Sequence, residues 1–228
     1  MTILHVDLAP DSEREQRAFL LLDEEEKSRW RRFLSVRARR EFVLCRAALR
    51  VTLCDRLGCS NRQLAFGYLE HGKPFAVVGG RRASLGFNVS HSGGHGLMAF
   101  AENEWLGVDV EERVAGRDFE GIGSLVYGAA ERQLLATAAG VDKMQLFFRL
   151  WSMKEALIKA IGSGFSLNPS RFEVPEPMQR GDQTGVFHFP HAPSDAWRLL
   201  DLGEPRFAAA LAYRMSSSTP NAEAARDA

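Results

Sequence analysis

Hydrophobic residues change their period twice along this chain, and in the same order both times. TILHVDL, residues 2–8, alternates apolar and polar positions as a half-buried strand does. From Asp23 to about Leu57 the apolar positions Phe33, Val36, Phe42, Val43, Leu49 and Leu53 suit a helix. LDEEEKSRW supplies its capping aspartate and acidic first turn, and Gly58 its stop. AFGYLEHGKPFAVV then reads as strand, tight turn and strand, with HGKP at the turn. SLGFNVSHSGGHGLMAFAENEWLGVDVEE gives three short β segments, broken by SGGHG and ENEW. The cycle then repeats: GAAERQLLATA is a short helix, residues 143–161 a longer one, and β texture returns at Phe172, Val174, Val186, Phe187 and Phe189. Strands are also expected in AWRLLDL and RFAAALAYR, while residues 216–228 have no periodicity and read as a disordered tail. REFVLCRAALR and RLWSMKEALIK share a texture. The expected fold class is therefore α+β, with two similar α+β halves, 1–104 and 105–215, and a ligand cleft between them.

The bulk charge excludes little. Lys plus Arg equals Asp plus Glu at 29 each, which argues neither for nucleic acid nor for a membrane surface. The distribution is uneven, however. Lys27, Arg29, Arg31, Arg32, Arg37, Arg39, Arg40, Arg46 and Arg50 stand against the single acid Glu41. That segment predicts an anionic partner, and a nucleic-acid-binding helix over 27–50 is one reading of it. Cys45, Cys54 and Cys59 form no CxxC pair, which suits a reducing cytoplasm rather than a disulfide framework. MTILHVDLAPDSERE has no basic-then-apolar leader, and no run approaches the ~20 apolar residues of a spanning helix. A cytoplasmic protein is expected.

Four patches carry side chains with chemical potential. In LGVDVEE, Leu106, Val108 and Val110 point one way along a strand, Asp109 and Glu111 the other. Positions two apart lie about 6.6–7 Å from each other, so both carboxylates can reach one hard cation such as Mg²⁺. An acidic strand end facing water is the plainer alternative. In WSMKEALIK, Glu155 and Lys159 sit one helical turn apart beside Lys154; they form either an ordinary i, i+4 pair or a metal carboxylate with phosphate-binding lysines. In HGKP, Gly72 permits a turn, Pro74 stiffens it and Lys73 projects, as a phosphate contact or a mere hairpin residue. In FNVSHS, Asn88 and Ser90 share a face opposite Phe87 and Val89, with His91 at the strand's end. Adjacent strand residues face apart, so Ser90 and His91 make a poor nucleophile–base pair, and no GxSxG elbow is present. Neither GxGxxG nor a Walker loop occurs.

Together the patches resemble the Sfp-type 4′-phosphopantetheinyl transferases. That family's strand G-V/I-D-V/I-E is met by Gly107, Asp109 and Glu111. Its helix W-x-x-K-E-A-x-x-K-x-x-G-x-G is met by Trp151, Lys154, Glu155, Ala156, Lys159, Gly162 and Gly164. The resemblance covers roughly residues 20–175. It implies two pseudo-symmetric α+β halves with coenzyme A and Mg²⁺ in the cleft between them. It implies transfer of the phosphopantetheine arm to a serine of an acyl or peptidyl carrier protein, with release of 3′,5′-ADP and no nucleic-acid or membrane partner. A monomer is expected, because the cleft forms within one chain. By the same resemblance Asp109, Glu111 and Glu155 are the metal set. Lys154 and Lys159 contact the pyrophosphate, and Lys159 protonates the leaving phosphate. Lys73, Ser90 and His91 meet the nucleotide end with Gly72, Pro74 and Asn88. Arg37 and Arg40 meet the 3′-phosphate, with Arg29 or Arg46 as alternatives. Glu155 is the candidate base. A catalytically silent protein of the same fold is the further alternative.

Overall fold

The computed structural model describes residues 1–102, 105–115, 118–162 and 167–215. The expected tail 216–228, Gly164 and the expected boundary at residue 104 lie outside them. The N-terminal half runs β1 (Thr2–Asp7), α1 (Ser12–Leu21), α2 (Glu24–Arg32), α3 (Val36–Leu57), β2 (Leu64–Tyr68), β3 (Pro74–Val78), β4 (Arg81–Arg82), β5 (Gly86–Ser92) and β6 (His95–Ala101). The C-terminal half follows as β7 (Leu106–Glu112), α4 (Phe119–Val126), α5 (Ala129–Thr137), α6 (Gly140–Ile161), α7 (Glu176–Gln179), β8 (Thr184–Phe189), β9 (Ala192–Asp201) and β10 (Phe207–Arg214). No described helix is long and apolar enough to cross a membrane.

Both halves share one wiring. In each, the first strand pairs with the last, which pairs in turn with its predecessor: β1–β6–β5 and β7–β10–β9–β8, antiparallel throughout. Strands β2, β3 and β4 form a separate small sheet. Helices α3 and α6 have 22 residues each, and each ends on a left-handed glycine, Gly58 at φ 60° and Gly162 at φ 73°. Equivalent positions recur 104 residues apart, 36 to 140 and 58 to 162, so the repeated order of elements is a repeated structure, in a register five residues off the one in which REFVLCRAALR and RLWSMKEALIK look alike.

Two sequence expectations change. The helix expected over 23–57 is two helices. Phe33 caps the end of α2, Leu34 stands outside, and the Ser35 hydroxyl accepts from the Ala38 amide to start α3. Serine and its competing hydrogen bond favour such a boundary even where apolar periodicity continues through it. Likewise Phe172 and Val174 lie in no strand; a 3₁₀ turn at Pro169–Arg171 and the short α7 flank them, and both side chains fill the C-terminal core. Helices α1 and α4 were not anticipated.

Each half is organised around a cation buried on its long helix. Arg50, 2% exposed, donates to the Asp23 and Glu26 carboxylates, to the Asn61 side chain and to the Asn61 and Leu64 carbonyls. Asp23 and Glu26 are themselves the capping box of α2. In the C-terminal half Lys154, 104 residues on from Arg50, donates to Glu131 Oε2 and the Phe172 carbonyl, both at 2.5 Å. Glu131, wholly buried, also accepts from the Gly128 and Val174 amides. Buried charges persist only when paired and hydrogen-bonded in this way.

Strand β7 is the shared wall. Leu106, Val108 and Val110 meet Leu97 and Ala99 of β6 and Ala209 and Leu211 of β10 in an apolar layer between the halves. Its other face lies under α6 so closely that a Cβ on Gly107 would stand 2.2 Å from the Ala156 carbonyl oxygen and 2.3 Å from the Ala160 nitrogen. Backbone is the obstacle, and it cannot rotate away. We therefore expect Gly107→Ala to lower unfolding stability by about 1–3 kcal/mol, read as a lower urea midpoint at unchanged m-value. An unchanged midpoint would mean that α6 retreats freely.

Candidate active site

The close approach at Gly107 decides what faces what. Two and four residues further along β7, Asp109 and Glu111 emerge on the same side, and α6 brings Glu155 and Lys159 over them. Strand β5 of the other half lies alongside, and its residues reach across at period two. Asn88 Oδ1 accepts from the Val108 amide at 2.9 Å, Ser90 Oγ donates to Asp109 Oδ1 at 2.9 Å, and Ser92 Oγ donates to Glu111 Oε2 at 2.9 Å. Lys159 Nζ donates to Asp109 Oδ1 at 2.6 Å and to Ser90 Oγ at 2.9 Å. Thus four predicted residues from three separated stretches meet in one junction: Asn88, Ser90, Asp109 and Lys159.

The electrostatics are unbalanced in a definite direction. Burial pushes the Glu155 carboxyl up; Asp109 raises it further, Lys159 draws it down and Glu111 again raises it. Asp109 is 2% exposed, and its Oδ2 has no hydrogen-bond partner among the described residues. A buried oxygen without a donor is costly, so a further positive group is called for there. Oxygen-only donors of this kind suit a hard divalent cation. As they stand, no three His, Cys, Asp or Glu side chains among the described residues are gathered to hold a metal. Lys159 bonds one oxygen of the Asp109 carboxylate and Ser92 one oxygen of Glu111.

Beside the junction is a cavity of about 270 Å³. Its walls are His71, Gly72, Lys73 and Pro74 of the β2–β3 turn, Asn88 and Val89 of β5, and Glu155, Ile158, Lys159 and Gly162 of α6. Gly72 takes φ 82°, which a glycine tolerates without strain. Lys73 does not project freely as the sequence suggested. Its ammonium donates to the carbonyls of Leu106 at 2.9 Å and Ala160 at 3.1 Å, tying the turn to the C-terminal end of α6 where a cation suits the helix dipole. A larger cavity, about 490 Å³, shares Lys73 and Pro74 but opens toward Phe75, Arg82 and Trp105, away from Asp109 and Glu155.

A second polar cluster joins the halves near the C-terminal end of β5. Arg37 Nε donates to Glu41 Oε1 at 2.7 Å and Arg37 Nη2 to Glu112 Oε2 at 3.0 Å; His91 Nδ1 stands 3.4 Å from Glu41 Oε2. Burial pushes the Glu41 carboxyl up, yet hydrogen bonds from His91 and Arg37 outweigh it and hold the group below its usual range. Arg37 and His91 thus converge on one anionic group. Arg40 does not join them: its Nε donates to the Leu8 carbonyl. The alternatives Arg29 and Arg46 lie over the Phe42 and Phe66 rings. With Arg50 buried as well, several cations of the basic segment are engaged inside the fold, while Arg31 and Arg32 stay exposed.

One expected site residue is corrected. Lys154 was assigned to phosphate, but it points into the C-terminal core, is completely buried and lies against Phe172 with its ammonium on Glu131. Lys154 stands about 100° from Glu155 around the helix, enough to put one in the core and the other in the cleft. Three participants were missed. Ser92 was legible in principle, since NVSHS continues the period-two face of Asn88 and Ser90. Glu41 showed only its i, i+4 spacing to Arg37, and Glu112 carried no such signal, because His91 and Arg37, the partners that join them across the halves, are distant in sequence.

Two family models match the chain, one described as 4′-phosphopantetheinyl transferase, N-terminal, over residues 8–103, the other as the 4′-phosphopantetheinyl transferase superfamily over 106–212. A Synechocystis sp. relative is 35% identical over 146 residues, 64% of this chain and 59% of that protein. The 4′-phosphopantetheinyl transferase HetI of Nostoc sp. is 35% identical over 147 residues, 64% of this chain and 61% of HetI. A 4′-phosphopantetheinyl transferase of Bacillus subtilis is 25% identical over 171 residues, 75% and 74% of the two chains. The matched region therefore spans about three fifths of the two cyanobacterial relatives.

The Lys154 placement makes its own test. Lys154→Met leaves the Glu131 carboxylate buried without its cation, and we expect a stability loss of about 3–5 kcal/mol, measured by urea unfolding. A near-neutral result would mean that methionine packing replaces the ion pair without cost.

Proposed function

The chain belongs to the 4′-phosphopantetheinyl transferase superfamily, and from that premise we propose that it moves the phosphopantetheine arm of coenzyme A onto a serine of an acyl or peptidyl carrier protein, releasing 3′,5′-ADP. The observation that carries this reading is the junction of Asp109, Ser90 and Lys159 beside Glu155 and Glu111. It holds a surplus of carboxylate, a cation able to meet phosphate, and an adjoining cavity between the two halves.

Asp109, Glu111 and Glu155 are the residues that would hold Mg²⁺, and the orphaned Asp109 oxygen fits that role. When bound, the cation neutralises charge on the pyrophosphate oxygens. The chain's own residues do the rest. Lys159, partly exposed at the cavity wall, meets the pyrophosphate and gives a proton to the departing 3′,5′-ADP phosphate. Glu155, directly or through a water, takes the proton of the incoming serine hydroxyl. The Gly72–Pro74 turn walls the nucleotide end, and Lys73 fixes that turn to α6. Arg37 and His91 receive the 3′-phosphate where Glu41 now stands between them. Lys154 has no part in binding. One chain supplies every group, so the enzyme acts as a monomer.

The experiment is intact-mass measurement of purified apo carrier protein after incubation with this protein, coenzyme A and Mg²⁺. The expected result is a gain of one phosphopantetheine, suppressed by EDTA. Glu155→Gln and Asp109→Asn should each slow transfer by about 10²-fold or more while unfolding midpoints change little. No gain on any acyl or peptidyl carrier tested, or a gain indifferent to EDTA and to Glu155→Gln, would sink the assignment.

A further inference from the structure

Two of the three cysteines are brought together by the way α3 ends. Gly58 turns left-handed at φ 60°, and the amides of Gly58 and Cys59 both donate to the Cys54 carbonyl, that of Cys59 at 3.1 Å. A hydrogen bond that spans six residues across a left-handed glycine is the Schellman arrangement, which sets the side chains at its two ends against each other. Here those ends are Cys54 and Cys59. Both are partly exposed, and both pack on the rim of the N-terminal core. Burial pushes the Cys54 thiol up, and the neighbouring Cys59 pushes it further. Cys45, on the same helix, is buried in the core, and its thiol is pushed up to about 12.

The segment that Cys59 opens is a strap over the buried Arg50. Arg50 donates to the Asn61 side-chain oxygen at 2.7 Å and to the Asn61 and Leu64 carbonyls at 3.0 Å, while Asn61 Nδ2 donates to the Leu21 carbonyl at 2.8 Å. The strap thus joins α3 to the end of α1 and the start of β2, and lifting it would uncover the charge around which this half is organised. The pair is remote from the proposed chemistry. Cys54 lies more than three helical turns beyond Glu41, about 20 Å along α3.

We propose that Cys54 and Cys59 are an oxidation site, converted by a small-molecule disulfide such as oxidised glutathione into an intramolecular disulfide that staples the strap to the end of α3. A disulfide needs Cα atoms about 4.4–6.8 Å apart, and the 3.1 Å hydrogen bond between the two backbones holds the pair within reach of that span. The Cys59 thiolate attacks one sulfur of oxidised glutathione, forming a mixed disulfide and releasing one glutathione thiolate. The Cys54 thiolate then attacks the Cys59 sulfur, which forms the protein S–S bond and releases the second glutathione. The two protons lost by the cysteines pass to the two departing thiolates. Two cysteine thiols are oxidised and one glutathione disulfide is reduced. Cys54 is the resolving partner, since burial keeps its thiol protonated. In a reducing compartment the pair rests as thiols, and the staple closes as the thiol–disulfide poise rises. Zinc would need further ligands, and no three His, Cys, Asp or Glu side chains among the described residues gather there. Neither exchange step involves coenzyme A or the carboxylate junction.

The test uses the full chain. Reduced protein is incubated with oxidised glutathione, quenched in acid and weighed intact, and the remaining thiols are located by iodoacetamide labelling in denaturant with peptide mapping. The expected product has lost two hydrogen atoms, is unlabelled at Cys54 and Cys59 and is labelled at Cys45. Its urea midpoint should lie above that of the reduced protein and return with dithiothreitol. Cys45→Ala should form the same product. Cys54→Ser should instead retain one glutathione on Cys59, because the resolving thiol is gone. Wild-type protein that keeps both thiols free, holds glutathione without resolving it or links to a second chain would overturn the proposal. So would an oxidised form that unfolds at the same urea concentration as the reduced one, or a lower one.

Discussion

Helix α6 can hold its charged residues over β7 only because the two backbones almost touch at Gly107. That contact has no side chain in it, and everything in the junction is measured from it. It lowers Glu155 and Lys159 onto the strand face where Asp109 and Glu111 emerge. It also places the Ala160 and Leu106 carbonyls side by side, so that one ammonium, that of Lys73, bonds both. A turn from the N-terminal half is thereby fastened to a helix end of the C-terminal half. The cavity lies between those fastened parts. Its shape follows from backbone packing, with side chains adjusting afterwards.

The two halves solve one problem in one way. A 22-residue helix that must cross a small core with charged residues on its flank cannot keep all of them in water. Arg50 and Lys154, at equivalent positions, are instead taken inside, each onto a first-turn glutamate, Glu26 or Glu131, that also accepts the N-cap amide of its helix. Removing either partner strands a charge, which makes these pairs strong determinants of a single arrangement even where their net stabilisation is small. The same architecture then diverges at the next positions. Val51 and Asp55 follow in α3, while Glu155 and Lys159 follow in α6. The charged pair proposed for the chemistry is thus present in one of the two copies.

The junction itself is not arranged for stability. Asp109 keeps an oxygen without a donor, and Glu155 is held near two other carboxylates with burial already against its charge. A chain selected for stability alone would replace one of them by a neutral residue. Such a cluster fits the cation-binding role proposed for it, and the buried pairs behind it hold the surrounding frame rigid.

What the sequence determined by itself was the order of periods and the local motif chemistry. Alternation named β1, β7 and β10, helical spacing named α3 and the body of α6, and the repeated order named two α+β halves. Strand and helix geometry placed Asp109 on one strand face and Glu155 and Lys159 one helical turn apart, but left a solvated strand end and an ordinary i, i+4 pair open; their candidate roles came from the family resemblance. The tertiary structure decided which face was inside. Lys154 and Glu155 are one residue apart, and no local rule says which of them meets Glu131 in the core and which meets the cleft. The roles of Glu41 and Glu112 were hidden for the same reason: each depends on a partner far along the chain, His91 and Arg37 respectively. Periodicity constrains neighbours along the chain. Contacts across it are set by packing, and only the folded backbone specifies those.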